Sequence, residues 1–491
     1  MQVTVRDKER EAEVRRVVEE ATGGSLPLVK EAMGKRIWRA GDLFVKAHMP
    51  WRLSERLKQL FVGSRARREF ERSLEVQNRG IRCASPVGYV VFRRTGSSFL
   101  VVEAEEGMDV GDALRQTPPA ERVSFLRSLA QFVRQMHAAG IFHGDLHPGN
   151  ILSRNGVFCL LDTVKCRMRK SLSVQEILRD LAQLAWGVWS VAGEEAAQVL
   201  VREYWGNDRA RIDATMRRAR RYGQRRLRSR SKRCVKESTR FVRIKTAGWR
   251  ILCRRECADL IDHYITAAAH PEGIFCKRRI YRGLWGALRL ILGLGRLLKA
   301  WKAAHRLQLL EVPVVGHIAY ARRVGLMRSE ERLFMERAEC NLQEFLWRCV
   351  FERRADEALA IGEKAASSVR KLLLAGVWHR DLKCQNLLIK NGEVVLGDTE
   401  SVRRRGLTDW RVARMLSQIE SSLPRCLAGR SRLRVAIGVL RGTGFWERRR
   451  GILTQAAALA ERRRLRWAEQ VARHPIRSSS CESSTSTATT D

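Results

Sequence analysis

At 491 residues the chain is longer than one ordinary domain needs and can fill two, each with its own core. A 45% hydrophobic share excludes wholesale disorder, while 93 Lys+Arg against 53 Asp+Glu leave a net charge of +40 that favours polyanionic partners. Twelve scattered cysteines with no C-x-x-C pair argue against a disulfide framework or zinc site and read as reduced thiols, and no uninterrupted apolar run approaches the ~20 residues that cross a bilayer.

The opening stretch MQVTVRDKEREAEVRR is charged throughout and reads as no secretory signal. Strand-like runs come next: RIWRAGDLFVKAH, then GYVVFRR and SFLVVEAEE. Between them SRARREFERSLEVQ is helix-like. ERVSFLRSLAQFVRQMHAAG then repeats apolar residues at three- and four-residue steps, the period of a half-buried helix. The polar stretch AGIFHGDLHPGNIL begins at Ala139 and overlaps the end of that helix, and the apolar run VFCLLD ends at Asp162.

From Arg209 to Arg240, fourteen Lys and Arg face only Asp213 and Glu237, which predicts a basic helix or linker, either a solvated face or a polyanion-facing patch. After it the same order of patterns returns. EGIFCKRR, GHIAYARR and RLFMERAE read as strands, and ADEALAIGEKAASSVRKLLLAG as a helix. AGVWHRDLKCQNLL begins at Ala375, EVVLGD ends at Asp398, and SSSCESSTSTATTD closes the chain as a low-complexity, disordered tail. The reading is therefore α+β: two tandem bilobal domains, each a small β-containing lobe followed by a larger helical one. Their expected bounds are 1–207 and 241–470, with 208–240 as the basic connection and 471–491 as the tail.

The duplicated loop carries the chemistry. Asn150 follows Asp145 by five residues and Asp162 lies twelve further on; Asp381, Asn386 and Asp398 repeat those steps. An amide oxygen and a carboxylate on adjoining loops suit Mg²⁺, a hard cation that keeps some of its water. The leading Asp is then placed to orient an alcohol and accept its proton, which is the layout phosphoryl transfer requires. A cation for nucleotide phosphates is available at Lys46 in LFVKAH and at Lys277 in IFCKRR. Glu69 stands 23 residues past Lys46 as a partner to hold it; the same step from Lys277 reaches Ala300.

At these residues the chain resembles the protein-kinase-like superfamily, and more narrowly the bacterial lipopolysaccharide kinases that phosphorylate heptose or Kdo sugars of the lipid A–core. HRDLKCQNLLI and LLKAWKAAHRLQLLEVPVVGHIAYARR give the second half the closer likeness, and GSRARREFERSLEVQNRGIRCASPVGY carries it in the first. HGDLHPGNIL is also similar to aminoglycoside phosphotransferases and atypical RIO-type kinases. The resemblance implies ATP and Mg²⁺ as cofactors and Asp145 and Asp381 as catalytic bases. It implies Mg²⁺ on Asn150, Asp162, Asn386 and Asp398, ATP phosphates on Lys46 and Lys277, and Glu69 holding Lys46. Adenine would then bind near Glu103–Gly107 and Met335–Ala338.

Several departures bear on activity. Neither half has a clear G-x-G-x-x-G, and Asp-Thr replaces Asp-Phe-Gly at Asp162 and Asp398. Gly144 stands where regulated kinases have Arg, which argues against control by activation-loop phosphorylation. Ala300 for a carboxylate, and Arg411 where the first half has Asp180, make the first domain the expected active one. Alternative readings are a small-molecule or protein kinase of the same fold, or a scaffold in which one or both halves are pseudokinases.

Two basic amphipathic segments, MPWRLSERLKQLFVGSRARR and YRGLWGALRLILGLGRLLKAWK, either pack as ordinary lobe helices or lie on an anionic membrane face. The expected partners are ATP and an anionic glycolipid or other sugar, with an anionic membrane surface; a nucleic acid is not expected. The expected location is the cytoplasm, peripheral at the inner face of the cell membrane.

Overall fold

The computed structural model of the chain describes all residues except 33, 51–58, 60, 267–272, 404–405 and 474–491. Nine of the twenty residues of the first amphipathic segment and nearly all of the expected tail therefore lie outside the described residues. The chain divides into two units, Met1–Ser229 and Arg230–Asp491, and each is α+β, as expected.

In the first unit six antiparallel strands form one sheet: β1 (Gln2–Val5), β2 (Leu28–Ala32), β3 (Lys35–Ala40), β4 (Leu43–His48), β5 (Pro86–Phe92) and β6 (Ser97–Glu103), in the order β1-β5-β6-β4-β3-β2. Strand side chains alternate between faces, and both faces here are covered. Val45 and Ala47 turn to one face and pack with Val14, Val17 and Val18 of helix Glu11–Gly23. Phe44, Leu100 and Val102 turn to the other and meet Ala66 and Phe70 of helix Arg65–Asn78. Lys46 pairs with Leu100 across the sheet, so the period of two aims it at that second helix.

A second core gathers the helices of this unit. Helix Arg122–Ala138 buries Leu126, Leu129, Ala130, Val133 and Met136, the stripe expected from its spacing. It stops because Gly140 enters the left-handed region (φ 71), and a Cβ there would sit 2.1 Å from the Arg169 carbonyl oxygen. That is the structural reason for the Ala-Gly pair preceding the loop. Two strands, Ile151–Arg154 and Val157–Leu160, then form a hairpin closed by Asn155 and Gly156, both at positive φ, as a tight two-residue hairpin turn requires. Helix Val174–Trp205 starts in a capping box between Ser173 and Glu176 and is kinked at Gly193. The basic stretch after it is helical, Arg209–Ser231.

In the second unit five antiparallel strands run in the order Phe241–Thr246, Trp249–Arg254, His317–Arg323, Arg328–Glu336, Ile274–Arg282. The first two went unread in the sequence. The long apolar run from Gly283 is two helices, Gly283–Ile291 and Arg296–Leu309, broken at Gly293 (φ 68). The buried carboxylate of Glu331 accepts from Leu297 N at 2.9 Å and from Tyr281 Oη at 2.6 Å, anchoring the second helix to the sheet. A separate helical core is built on Ala355–Leu374 and Asp409–Ser422, and the hairpin Leu387–Lys390/Glu393–Leu396 again turns on an Asn-Gly pair, Asn391 and Gly392. Among the described residues no helix is long and apolar enough to cross a membrane, and no cysteine is in a disulfide.

Candidate active site

Lys46, aimed off β4, reaches Glu69 on helix Arg65–Asn78: Nζ lies 2.9 Å from Oε1, with the two side chains 12% and 2% exposed. His48, two residues along the same face, lies 3.6 Å from the other carboxylate oxygen. Burial opposes ionisation of Glu69, but Lys46 and His48 together outweigh it and hold the carboxyl below its ordinary range. Burial likewise works against the Lys46 ammonium, yet Glu69 prevails and its pKa is raised.

The loop after Gly140 is held from beneath by Asp180, fully buried on helix Val174–Trp205. Its oxygens accept from His143 N at 2.7 Å and Gly144 N at 2.9 Å. His143 Nε2 approaches the Leu161 carbonyl oxygen at 3.2 Å, tying the loop to the residue before Asp162. Asn150 Nδ2 donates to the Asp145 carbonyl oxygen at 3.0 Å, and Leu161 N donates to the Asn150 carbonyl oxygen at 2.8 Å. These bonds bring Asp145, Asn150 and Asp162 into one place. Lys165 Nζ donates to Asp145 Oδ2 at 2.7 Å; burial raises the Asp145 pKa, but this cation more than reverses the effect.

Asp162 is a non-glycine residue in the left-handed region (φ 51, ψ 60), a conformation that costs energy and is retained where surrounding contacts enforce it. Its carboxylate lies 3.7 Å from Lys35 Nζ and 3.6 Å from Arg65, beyond normal hydrogen-bond length. The following Thr163 Oγ1 contacts Ser73 Oγ at 2.8 Å and the Glu69 carbonyl oxygen at 3.3 Å. Asn150 spends its amide N–H on the loop, which leaves its Oδ1 to accept, on a residue whose backbone is bonded to the neighbour of Asp162. That donor pair fits Mg²⁺ better than softer metals, and among the described residues no group of three His, Cys, Asp or Glu gathers to favour them.

The second unit repeats the loop with different fastenings. Asn386 Nδ2 donates to the Asp381 carbonyl oxygen at 2.7 Å, and Gly397 N donates to the Asn386 carbonyl oxygen at 2.9 Å. Thr399 Oγ1 lies 3.1 Å from the Ala300 carbonyl oxygen, the contact Thr163 makes with Glu69, so Ala300 occupies the position of Glu69. Lys277 turns instead to Glu400, which also pairs with Arg279 at 3.1 Å, and lies 3.5 Å from Asp398. Asp398 is not left-handed (φ −89); its carboxylate accepts from Ser401 Oγ at 2.7 Å and Glu400 N at 3.3 Å. Beneath the loop the role of Asp180 falls to Gln418, whose side chain accepts from Leu382 N at 2.7 Å and donates to the Arg380 carbonyl oxygen at 2.6 Å. Arg411, the residue expected at that position, packs over Trp378 instead.

In the segments expected to hold adenine, Ala104 N is bonded to the Asp42 carbonyl oxygen and Arg337 N to that of Gly273, both at 2.7 Å. Residues 9–200 match the model of the lipopolysaccharide kinase (Kdo/WaaP) family. Over residues 9–200 this match agrees with the resemblance read from the loop. The KEOPS complex subunit Bud32 of Pyrococcus abyssi (strain GE5 / Orsay) is 26% identical over 144 residues, 28% of this chain and 66% of that protein. Among solved structures, the streptomycin-ATP-APH(2″)-IIa ternary complex aligns at a TM-score of 0.30 and 12% identity, over 44% of this chain and 88% of that one. WbdD aligns at 0.27 and 15%, over 39% and 45%.

The sequence reading missed Lys35, Arg65 and Lys165 around the two aspartates of the first unit, and in the second unit Glu400 and Gln418. Of these only Arg65 has a counterpart at the matching step, Arg296, so the repetition that exposed the loop was silent about the others.

Proposed function

We propose that the chain transfers the terminal phosphoryl group of ATP to a sugar hydroxyl of a lipopolysaccharide lipid A–core, a heptose or Kdo, and that its first unit performs the reaction. The observation that carries this reading is the Lys46–Glu69 pair inside the kinase-family segment, on the sheet face whose helix also contacts the Asp162–Thr163 turn. Lys46, fixed by Glu69, would neutralise nucleotide phosphates. Asp145 would orient the acceptor hydroxyl and take its proton as the new P–O bond forms and ADP leaves. A carboxylate kept ionised by Lys165 suits that orienting role. Asn150 and Asp162 would hold Mg²⁺, which when bound spreads the charge of the phosphate oxygens.

In the second unit Asn386, Asp398 and Lys277 are the corresponding residues, but Ser401 and Glu400 already engage Asp398 and Lys277. That favours a weak or silent second centre. The exposed apolar face of helix Gly283–Ile291, with Arg282 and Arg289 beside it, supports peripheral docking on an anionic membrane that presents the glycolipid.

The deciding experiment supplies labelled ATP with lipid A–core glycolipid, free sugars or proteins to wild type, Asp145→Asn and Asp381→Asn. The expected result is labelled glycolipid and a loss of about 10²- to 10⁴-fold in Asp145→Asn with a smaller change in Asp381→Asn. Transfer that survives Asp145→Asn, or label appearing only in proteins or free sugars, removes this reading.

A further inference from the structure

The phosphoryl-transfer scheme makes no use of a cavity of about 720 Å³ that opens beside Asp381 in the second unit. Its wall carries Lys383, Arg414, Arg463 and Arg466, the indoles of Trp410 and Trp467, and no acidic side chain. One side is built by helix Arg449–Arg473, which buries Ile452 and Ala456 in the helical core and donates from Arg464 to the Glu420 carbonyl oxygen at 2.6 Å. That anchoring presents Arg463, Arg466 and Trp467 on a single face of the helix, toward the loop.

The four cations are not equivalent. Lys383 Nζ lies 3.1 Å from one Asp381 oxygen and Arg463 lies 3.8 Å from the other, so two of the lining cations already face the Asp381 carboxylate. Arg414 lies over the Trp410 ring at 5.2 Å, and Arg466 Nε donates to the Arg462 carbonyl oxygen at 3.4 Å. Among the described residues neither guanidinium has a carboxylate within 4.0 Å, whereas Arg448 and Arg464 pair with Asp409 and Glu420. Like charges lining a hollow repel one another, and an anion placed among them relieves that repulsion with charge-assisted hydrogen bonds. The indoles add flat apolar walls of the kind that pack against a sugar ring, and the volume lies within the usual range for small-ligand sites.

We propose that this cavity binds a phosphorylated sugar, with its phosphate on Arg414 and Arg466, its ring against Trp467 and its free hydroxyls toward Asp381. Only the meaning of the last contact rests on the phosphotransferase reading; the binding does not. A bound phosphate also competes for Arg463 and so loosens one of the two cations on Asp381.

The test is calorimetry on the full chain without ATP, using mannose 6-phosphate as probe, with mannose and inorganic phosphate as separate arms. Mannose 6-phosphate is expected to bind, mannose not. The double variant Arg414→Gln/Arg466→Gln should weaken binding about tenfold or more, as loss of charge-assisted contacts does. Trp467→Ala should weaken the sugar phosphate and leave inorganic phosphate unchanged. These side chains are exposed, and an unchanged melting temperature certifies the fold of each variant. No heat of binding up to about 10 mM, a weaker interaction than any useful site, overturns the proposal. So does an affinity indifferent to the arginine pair, or a Trp467→Ala variant that loses nothing or loses both ligands equally. Binding is read here without ATP or turnover, so transfer that survives in Asp145→Asn and binding that fails here are separate results.

Discussion

Glu69 and Lys46 meet at 2.9 Å, across the gap between a strand and the helix packed on it, with almost no exposure to solvent. Breaking one side of such a pair leaves a buried charge without a partner and typically costs about 3–5 kcal/mol. Glu69→Gln keeps the volume and removes the charge. It should lower the unfolding midpoint of the first unit and, by letting the ammonium drift from the phosphates, reduce phosphate transfer by about 10²-fold. Denaturant titration and turnover on the same preparation check both; transfer at the wild-type rate would show that Lys46 needs no anchor.

The second unit has Ala300 in place of this carboxylate, and a buried histidine meets its Thr399 turn. Burial pushes the His317 imidazole down from 6.5 to about 4, with Nδ1 facing the Val315 carbonyl oxygen at 2.9 Å and Nε2 facing Thr399 Oγ1 at 3.2 Å. A folded-state pKa below the unfolded one means that the unfolded chain binds the proton first. The stability contribution is therefore complete above pH about 6.5 and is lost as pH falls through about 4, a swing of roughly 3 kcal/mol for this one group. His317→Gln should flatten the fall in melting temperature over that window relative to wild type. Parallel curves for the two proteins would exclude His317 as its source.

Much of this architecture can be read from the chain because it is written locally. The Lys46–Glu69 contact follows from two periods, the alternation that turns Lys46 to the helix side of β4 and the helical face that carries Glu69 with Ala66 and Phe70. The duplicated Ala-Gly pairs are helix stops, visible because only glycine accepts that backbone without strain. Other features depend on distant partners and leave no pattern. Glu400 reaches Lys277 from a turn over a hundred residues away, and Gln418 replaces Asp180 from a shifted position on its helix, so a comparison by spacing selected Arg411. The strands Phe241–Thr246 and Trp249–Arg254 were hidden by their arginines and lysines, which alternate out of the sheet and mask the apolar face.

Asp180 and Gln418 support equivalent loops with opposite hydrogen-bond demands. Asp180 is fully buried and accepts twice from backbone N–H groups. Asp180→Asn turns one acceptor into a donor facing a donor, which should cost about 1–3 kcal/mol and displace Asp145. Gln418 accepts once and donates once, so Gln418→Glu sets a carboxylate oxygen against the Arg380 carbonyl at a similar cost. If the first unit performs transfer, Asp180→Asn should depress it by an order of magnitude or more, about what a small misplacement costs, while Gln418→Glu destabilises with little effect on rate. Equal kinetic losses in both would instead make the second loop an active partner.

Helix Gly283–Ile291 buries Gly286, Ala287 and Leu290 against its own unit and leaves Leu284 and Trp285 69% and 84% exposed. Gly283 N donates to the Met327 carbonyl oxygen at 3.1 Å, which sets the exposed Leu326 and Met327 beside them. Arg282, Arg289 and Arg296 are exposed nearby. Burying a large apolar side chain returns about 1.5–3 kcal/mol and each basic residue at an anionic surface about 1 kcal/mol, so this patch should hold the chain on a charged bilayer in low salt. Wild-type protein should therefore co-sediment with phosphatidylserine-containing vesicles and much less with phosphatidylcholine alone. Leu284→Ser with Trp285→Ser should lower that partition by about tenfold or more, since each lost anchor is worth over 1.4 kcal/mol, without changing the melting temperature. Partition that persists in this variant and vanishes with salt would assign binding to the basic charge alone and take the helix out of the account.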